Sequence, residues 1–307
     1  VSTKPKALRK GARLAVVSPA STPQRGLVEK GAVALRELGY EPVLYPHVFG
    51  GGPLYYAGTA EERVNDLHAA FADKTIDGII AARGGWGTAE LLPLLDTELI
   101  RANPKVFIGY SDHTSLHTYF QTHCDLNTFY APMVAADFAR ENGVDWSSWC
   151  SVFEGASEWS LTAADGLRML RPGKATGVLR GGCISILAQS LGTPWAAETG
   201  NSILFLEDIG TKPYQWDRIL LHLRWAGRLD TVQGIVFGDM KQCVIPEDME
   251  LLEDAIQHSL RDFAGPVAIG LRSGHVSEPN ISLPLGVSCM LDCSSEPQLN
   301  FLESAVV

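Results

Sequence analysis

Short apolar runs alternate with helical stretches across roughly the first 135 residues, and this alternation restricts the fold more than any other property of the chain. Arg13 to Ser18 reads as a strand closed by Pro19, and residues 24–38 then carry a helical apolar face through Leu27, Val28, Leu35 and Leu38, with Gly39 as its terminator. A strand at residues 42–45 leads through a glycine-rich loop to Thr59 and Glu62, whose spacing is that of a capping box opening a helix over 60–71. Further strands follow at 77–82, 105–110 and 127–130, with helices expected over 88–95 and 114–123. Repeated strand–helix units of this kind build a parallel sheet wound with helices on both faces.

After residue 137 the pattern loosens. Trp146, Trp149 and Trp159 lie among polar residues up to the turn at Arg171-Pro-Gly173. Beyond it come strands at 175–180, 202–206, 234–237 and 266–269, helices over 215–225 and 247–263, and three closing strands at 281–283, 287–291 and 298–302. Sheet and helix do not alternate regularly here. The expected architecture is therefore α/β: an N-terminal doubly wound parallel-sheet domain (1–136), a connection (137–174), and a C-terminal α+β domain with a mixed sheet (175–307).

A length of 307 residues and 46% hydrophobic content suit two packed cores. The formal net charge of −10 argues against nucleic acid or an anionic membrane surface as partner. The one basic cluster, Lys4, Lys6, Arg9 and Lys10, reads as a solvated tail. No apolar run is long enough to span a membrane, and the basic residues of the first segment interrupt any signal-like run, so a full-length chain of this kind is expected in the cytoplasm. The six cysteines are scattered as reduced thiols would be. No histidine pair has metal-ligand spacing, so neither a metal nor another cofactor is expected.

Chemistry concentrates where strands end. Ser111 breaks the apolar run Val106-Phe-Ile-Gly-Tyr110 as a helix begins, a position that fits either a helix cap or a nucleophile on a sharp strand-to-helix turn. Arg83-Gly-Gly-Trp-Gly87 lies at a neighbouring strand end but lacks a nucleotide-loop signature. It fits either a tight connection or a bare backbone whose Gly85 N–H, paired with that of Asp112, would hold an oxyanion. Glu207 and Asp208 close an uncharged strand, as turn caps or as an orienting acid. His275 sits in a glycine-flanked loop, whereas His113 and His117 follow Ser111 on its own helix and point along it.

Taken in order, Arg83-Gly-Gly-Trp-Gly87, Gly109-Tyr-Ser-Asp112, Gly181-Gly182, Leu206-Glu-Asp208 with Tyr214 and Asp217-Arg218, and Gly274-His-Val276 with Leu283-Pro-Leu-Gly286 resemble the LD-carboxypeptidase family of serine peptidases. The resemblance implies a triad of Ser111, Glu207 and His275, an oxyanion hole at the N–H groups of Gly85 and Asp112, and substrate contacts at Gly84 and Trp86. It also implies a homodimer that removes terminal D-alanine from murein tetrapeptides in peptidoglycan recycling. Where relatives often carry asparagine after the Gly-Gly pair, this chain has Cys183. A microcin-immunity branch that hydrolyses peptidyl or aminoacyl nucleotides is the alternative within the same resemblance. A non-catalytic two-domain protein that closes on a small molecule is the alternative outside it.

Overall fold

The computed structural model describes residues 2–307. Its first sheet is built from β1 (Arg13–Val17), β2 (Glu41–Leu44), β3 (Gly78–Ala81), β4 (Val106–Gly109) and β5 (Thr128–Tyr130), all parallel, in the order β5-β4-β3-β1-β2. Every residue of β3, β4 and β5 is buried, as in strands covered on both faces. The intervening helices are α1 (Arg25–Glu37), α2 (Ala60–Ala72), α3 (Thr97–Ala102) and α4 (Thr114–His123). The capping box of α2 forms: Glu62 N–H donates to Thr59 Oγ1 at 3.2 Å, and Thr59 N–H donates to Glu62 Oε2 at 2.9 Å. One expected helix differs, because residues 88–94 wind as a 3-10 segment containing Pro93, whose ring removes a helical donor.

The stretch between the two halves carries α5 (Trp146–Phe153) and two short strands, β6 (Trp159–Leu161) and β7 (Arg168–Arg171). β8 (Lys174–Cys183), β9 (Ser202–Glu207), β10 (Gly234–Gly238) and β11 (Val267–Leu271) are mutually parallel and form the centre of the second sheet. Around them pack α6 (Ile184–Gln189), α7 (Pro213–Trp225) and α8 (Met249–Ser259). β7 pairs antiparallel with β11.

The chain then returns to the first sheet. β12 (Leu283–Leu285) pairs antiparallel with β5, so what reads as a strand of the second half becomes the sixth strand of the first sheet. Pro284 suits it to that edge, since it has no N–H to offer a further strand. β13 (Ser288–Asp292) and β14 (Gln298–Phe301) close the second sheet, whose order is β6-β14-β13-β8-β9-β10-β11-β7. The protein is thus a two-domain α/β fold with a parallel-rich first sheet and a mixed second sheet. One apolar cluster runs through both, from Val16, Ile108 and Phe129 to Leu179, Phe205 and Leu291.

The basic N-terminal segment is not a solvated tail. Ala7 N–H donates to Val307 O at 2.8 Å, Val307 N–H to Pro5 O at 2.9 Å and Leu8 N–H to Phe153 O at 3.0 Å, while Lys4 pairs with Glu303 at 2.7 Å. Backbone pairing and the burial of Leu8 outweigh the solvation of its charged neighbours. Among the described residues no helix is long and apolar enough to cross a membrane.

β8 ends in Gly181-Gly182-Cys183, and at Gly182 glycine is required. Gly182 has φ +140°, and a Cβ on it would lie 2.6 Å from Thr114 Oγ1 and 3.0 Å from the Tyr130 ring. Gly182→Ala is expected to destabilise the protein by about 1–3 kcal/mol through backbone strain alone, read as a lower midpoint in urea with an unchanged slope.

Candidate active site

β4 ends at Gly109, and the chain turns so sharply that Ser111 adopts φ +67°, a conformation that costs a residue with a side chain about 1–3 kcal/mol. Hydrogen bonds hold it there. Ser111 N–H donates to the Tyr130 hydroxyl at 3.0 Å, and its carbonyl accepts from Thr114 Oγ1 at 2.7 Å. The helix-cap alternative does not hold, because neither the 3-10 turn that starts at Ser111 nor α4 has a side-chain cap. The Ser111 hydroxyl thus stands at the carboxyl end of a central strand, where open α/β sheets place their ligands.

The Arg83–Gly87 loop lies against this turn. A Cβ on buried Gly84 would sit 3.0 Å from Ser111 Cβ and 3.1 Å from its Oγ. Gly85 is exposed, and Trp86 is half-buried with its N–H bonded to Ser21 Oγ at 3.1 Å. Two residues that sequence reasoning missed hold the far side of the loop. Arg63 of α2, buried, donates from Nη1 to Gly87 O at 2.8 Å and Pro19 O at 2.7 Å, and stacks over the Tyr56 ring. Thr88 N–H donates to Asp112 Oδ2 at 2.9 Å, and Thr88 Oγ1 donates to Asp112 O at 2.7 Å. Burial lifts the Asp112 carboxyl to a pKa of about 6, against the opposing pull of its Thr88 bonds. The loop is therefore strapped to the residue that follows Ser111.

The second sheet supplies the charged pair. Glu207, the last residue of β9, is 1% exposed. Its Oε2 accepts from His275 N–H at 3.0 Å and from His275 Nδ1 at 2.8 Å, and its Oε1 accepts from the Tyr130 hydroxyl at 2.5 Å. Gly274 makes this approach possible: at φ +90°, any Cβ on it would fall 2.6 Å from Glu207 Cδ. Because Nδ1 donates to the carboxylate, Nε2 is the nitrogen left to accept a proton. The edge of Tyr110 packs on the ring at 5.3 Å between centroids.

Burial pushes the Glu207 carboxyl up, but the His275 charge and the bonds from His275 and Tyr130 outweigh it and hold the group below its ordinary value. For His275, burial pushes the ring down and the adjacent Glu207 charge outweighs it, leaving the ring above 6.5. Ser111 Oγ itself makes no hydrogen bond to the imidazole in this arrangement. The serine and the Glu207–His275 pair are joined through Tyr130, a residue that in the sequence is only the end of an apolar run.

The other candidates have separate roles. Asp208 accepts from Ile209 N–H at 2.8 Å and Ser185 N–H at 3.3 Å, so it organises the turn after β9. Cys183 is buried, and burial pushes its thiol well above the ordinary value. His113 Nδ1 donates to Tyr110 O at 2.9 Å and His117 Nε2 to Gly109 O at 2.8 Å, bracing the end of β4 from below. Among the described residues no group of three histidine, cysteine or acidic side chains could hold a metal ion.

The family model described as the LD-carboxypeptidase N-terminal domain matches residues 14–131, and that of the LD-carboxypeptidase C-terminal domain matches residues 176–291. A probable murein peptide carboxypeptidase of Bacillus subtilis is 35% identical over 297 residues, covering 95% of this chain and 92% of the relative. The crystal structure of a muramoyltetrapeptide carboxypeptidase from Oxalobacter formigenes superposes with a TM-score of 0.83 at 27% identity, over 95% of this chain and 99% of that one. An MccF-like protein from Bacillus anthracis superposes with a TM-score of 0.91 at 25% identity, over 98% and 100%.

Burial holds His113 and His117 neutral, at pKa values of about 4 and about 3. Both lie below the ordinary 6.5 of the unfolded chain, so the unfolded state takes up protons first and stability falls as pH drops from 6.5 toward those values. NMR titration of the ring signals is expected to show two histidines silent down to pH 4.5 or so while His275 titrates above 6.5. Denaturant unfolding at pH 5 and pH 7 should show the accompanying loss of stability.

Proposed function

Since this chain belongs to the LD-carboxypeptidase family, we propose that it is a cytoplasmic serine carboxypeptidase that cleaves the bond between an L-centre and a terminal D-alanine in murein tetrapeptides, in peptidoglycan recycling. The observation that carries this reading is the buried Glu207–His275 pair linked by one tyrosine hydroxyl to a serine in a strained turn. Ser111 attacks the carbonyl carbon, and His275 Nε2 takes its proton. Glu207 keeps Nδ1 protonated and stabilises the imidazolium. The N–H groups of Gly85 and Asp112 hold the oxyanion while the C–N bond breaks, and His275 returns the proton to the departing amine of D-alanine. Water, deprotonated by the same histidine, then hydrolyses the acyl-enzyme. Gly84 and Trp86 line the approach of the peptide. The homodimer implied by the family resemblance belongs to this reading, and sedimentation reads it directly.

Ser111→Ala is expected to reduce D-alanine release from a murein tetrapeptide by about 10⁴-fold or more without changing the fold. Full activity of that variant would remove the serine from the mechanism. His275 must be neutral to act as base, so kcat/KM should fall as pH drops through a pKa above 6.5. Glu207→Gln removes the charge that raises this pKa, and the acid limb should move to lower pH as the rate drops.

The likeness to the MccF-like protein favours one second reading, an enzyme acting on peptidyl or aminoacyl nucleotides. One preparation assayed on both substrate classes separates the two: D-alanine release supports the first, and nucleotide release with no D-alanine supports the second.

A further inference from the structure

We propose that Tyr130 is a positioning residue that ties the nucleophile turn of the first sheet to the Glu207–His275 pair of the second, through one hydroxyl that accepts from Ser111 N–H and donates to Glu207 Oε1. The proposal rests on the reading of Ser111, Glu207 and His275 given above and deepens it.

A phenol has a single proton, and the two bonds fix where it goes. Ser111 N–H can only donate, so the hydroxyl oxygen is its acceptor at 3.0 Å, and the phenolic proton is directed to the carboxylate at 2.5 Å. Tyr130 is fully buried, and its ring is fixed among Tyr110, His117 and Phe205 with centroids at 6.0, 5.7 and 5.6 Å. It is the last residue of β5, paired with Gly109 on one side and with Leu283 on the other. The hydroxyl thus has no freedom to leave either partner. Burial together with the Glu207 charge holds the phenol well above its ordinary value, so it stays a donor across the working range.

Two consequences follow. The left-handed turn at Ser111 keeps its N–H satisfied without water, which holds the serine in register with the charged pair. The bond to Oε1 also withdraws charge from the carboxylate, and so sets how strongly Glu207 raises the proton affinity of His275. Without the hydroxyl the carboxylate is less stabilised, and the Glu207–His275 pair binds its proton more tightly. The acid limb should then move up, opposite to the direction expected for Glu207→Gln.

The test is Tyr130→Phe, which deletes one oxygen from a buried ring. The proposal expects the His275 ring pKa, read by NMR without substrate, to rise by about 0.5 unit or more. It also expects kcat on the murein tetrapeptide to fall about 10-fold or more with KM little changed. An unchanged His275 pKa overturns the proposal whether or not the substrate assignment is right, because that titration needs no substrate. A lower kcat with an unmoved limb reduces Tyr130 to packing and likewise overturns it. A cycle with Glu207→Gln covers the case in which Tyr130→Phe does not fold, because the carboxamide leaves no buried charge to satisfy. A double variant in which His275 titrates as in Glu207→Gln alone supports action through Glu207, and a His275 pKa that still rises by about 0.5 unit rejects it.

Discussion

A carboxylate with 1% of its surface exposed has to be surrounded by donors, because a buried and unpaired charge is among the most costly features a fold can contain. Glu207 obtains three: the Tyr130 hydroxyl, the His275 backbone N–H and the His275 ring. They come from the end of β5 in the first sheet and from the loop after β11 in the second. One charge therefore fixes the relative position of two strand ends and a loop. The same logic separates Glu207 from its neighbour, since Asp208 accepts from the backbone N–H groups of Ile209 and of Ser185 on α6 and makes no bond to His275. The carboxylate that orients the histidine is the one that also takes a donor from the other sheet.

The turn at Ser111 is the complement of that charge. Its backbone conformation is unfavourable for a serine, and it persists because the surroundings over-determine it: Tyr130 takes its N–H, Thr114 takes its carbonyl, and Gly84 leaves room above its side chain. The glycine loop opposite has few side chains to pack and is immobilised from behind instead. Arg63 spends its guanidinium on Pro19 O, Gly87 O and Glu90, while Asp112 and Thr88 close the other end. The backbone beside Ser111 is therefore held rigidly, which is what the proposed role of its N–H groups in stabilising a developing oxyanion requires.

What the sequence discloses follows from the range of the interactions. Strands buried on both faces announce themselves as uncharged runs, and the capping box of α2 is a three-residue signal, so the first sheet was legible almost strand by strand. β6 and β7 are not, because they are partly exposed and β7 is flanked by arginines, so neither forms an uncharged run, and the place of β12 in the first sheet is not legible because pairing is not a local property. Within the site, Ser111 and the Arg83–Gly87 loop were visible as irregularities at strand ends. Glu207 and His275 stand among alternatives on local pattern alone, and only the family resemblance singles them out. Tyr130 and Arg63 escaped entirely: a tyrosine ending an apolar run and an arginine on an amphipathic helix look ordinary, and their partners lie 77 and 24 residues away.

The position after the Gly-Gly pair shows how such a framework tolerates change. Thr114 Oγ1 has one proton, which it gives to Ser111 O, and it accepts in turn from Cys183 N–H at 3.0 Å. The contact that joins β8 to the nucleophile turn is thus made by the backbone of residue 183, and it is indifferent to the side chain. Gly182 secures it by letting β8 approach Thr114 more closely than any Cβ would permit. A cysteine can therefore stand where the family resemblance leads one to expect asparagine without disturbing Ser111. Its thiol, buried and held protonated, meets Ser185 Oγ at 3.3 Å and the backbone of Ile186. A cysteine here offers none of the hydrogen-bonding capacity an amide would bring beside the site, so the identity of residue 183 should bear on what is bound there rather than on how the serine is held.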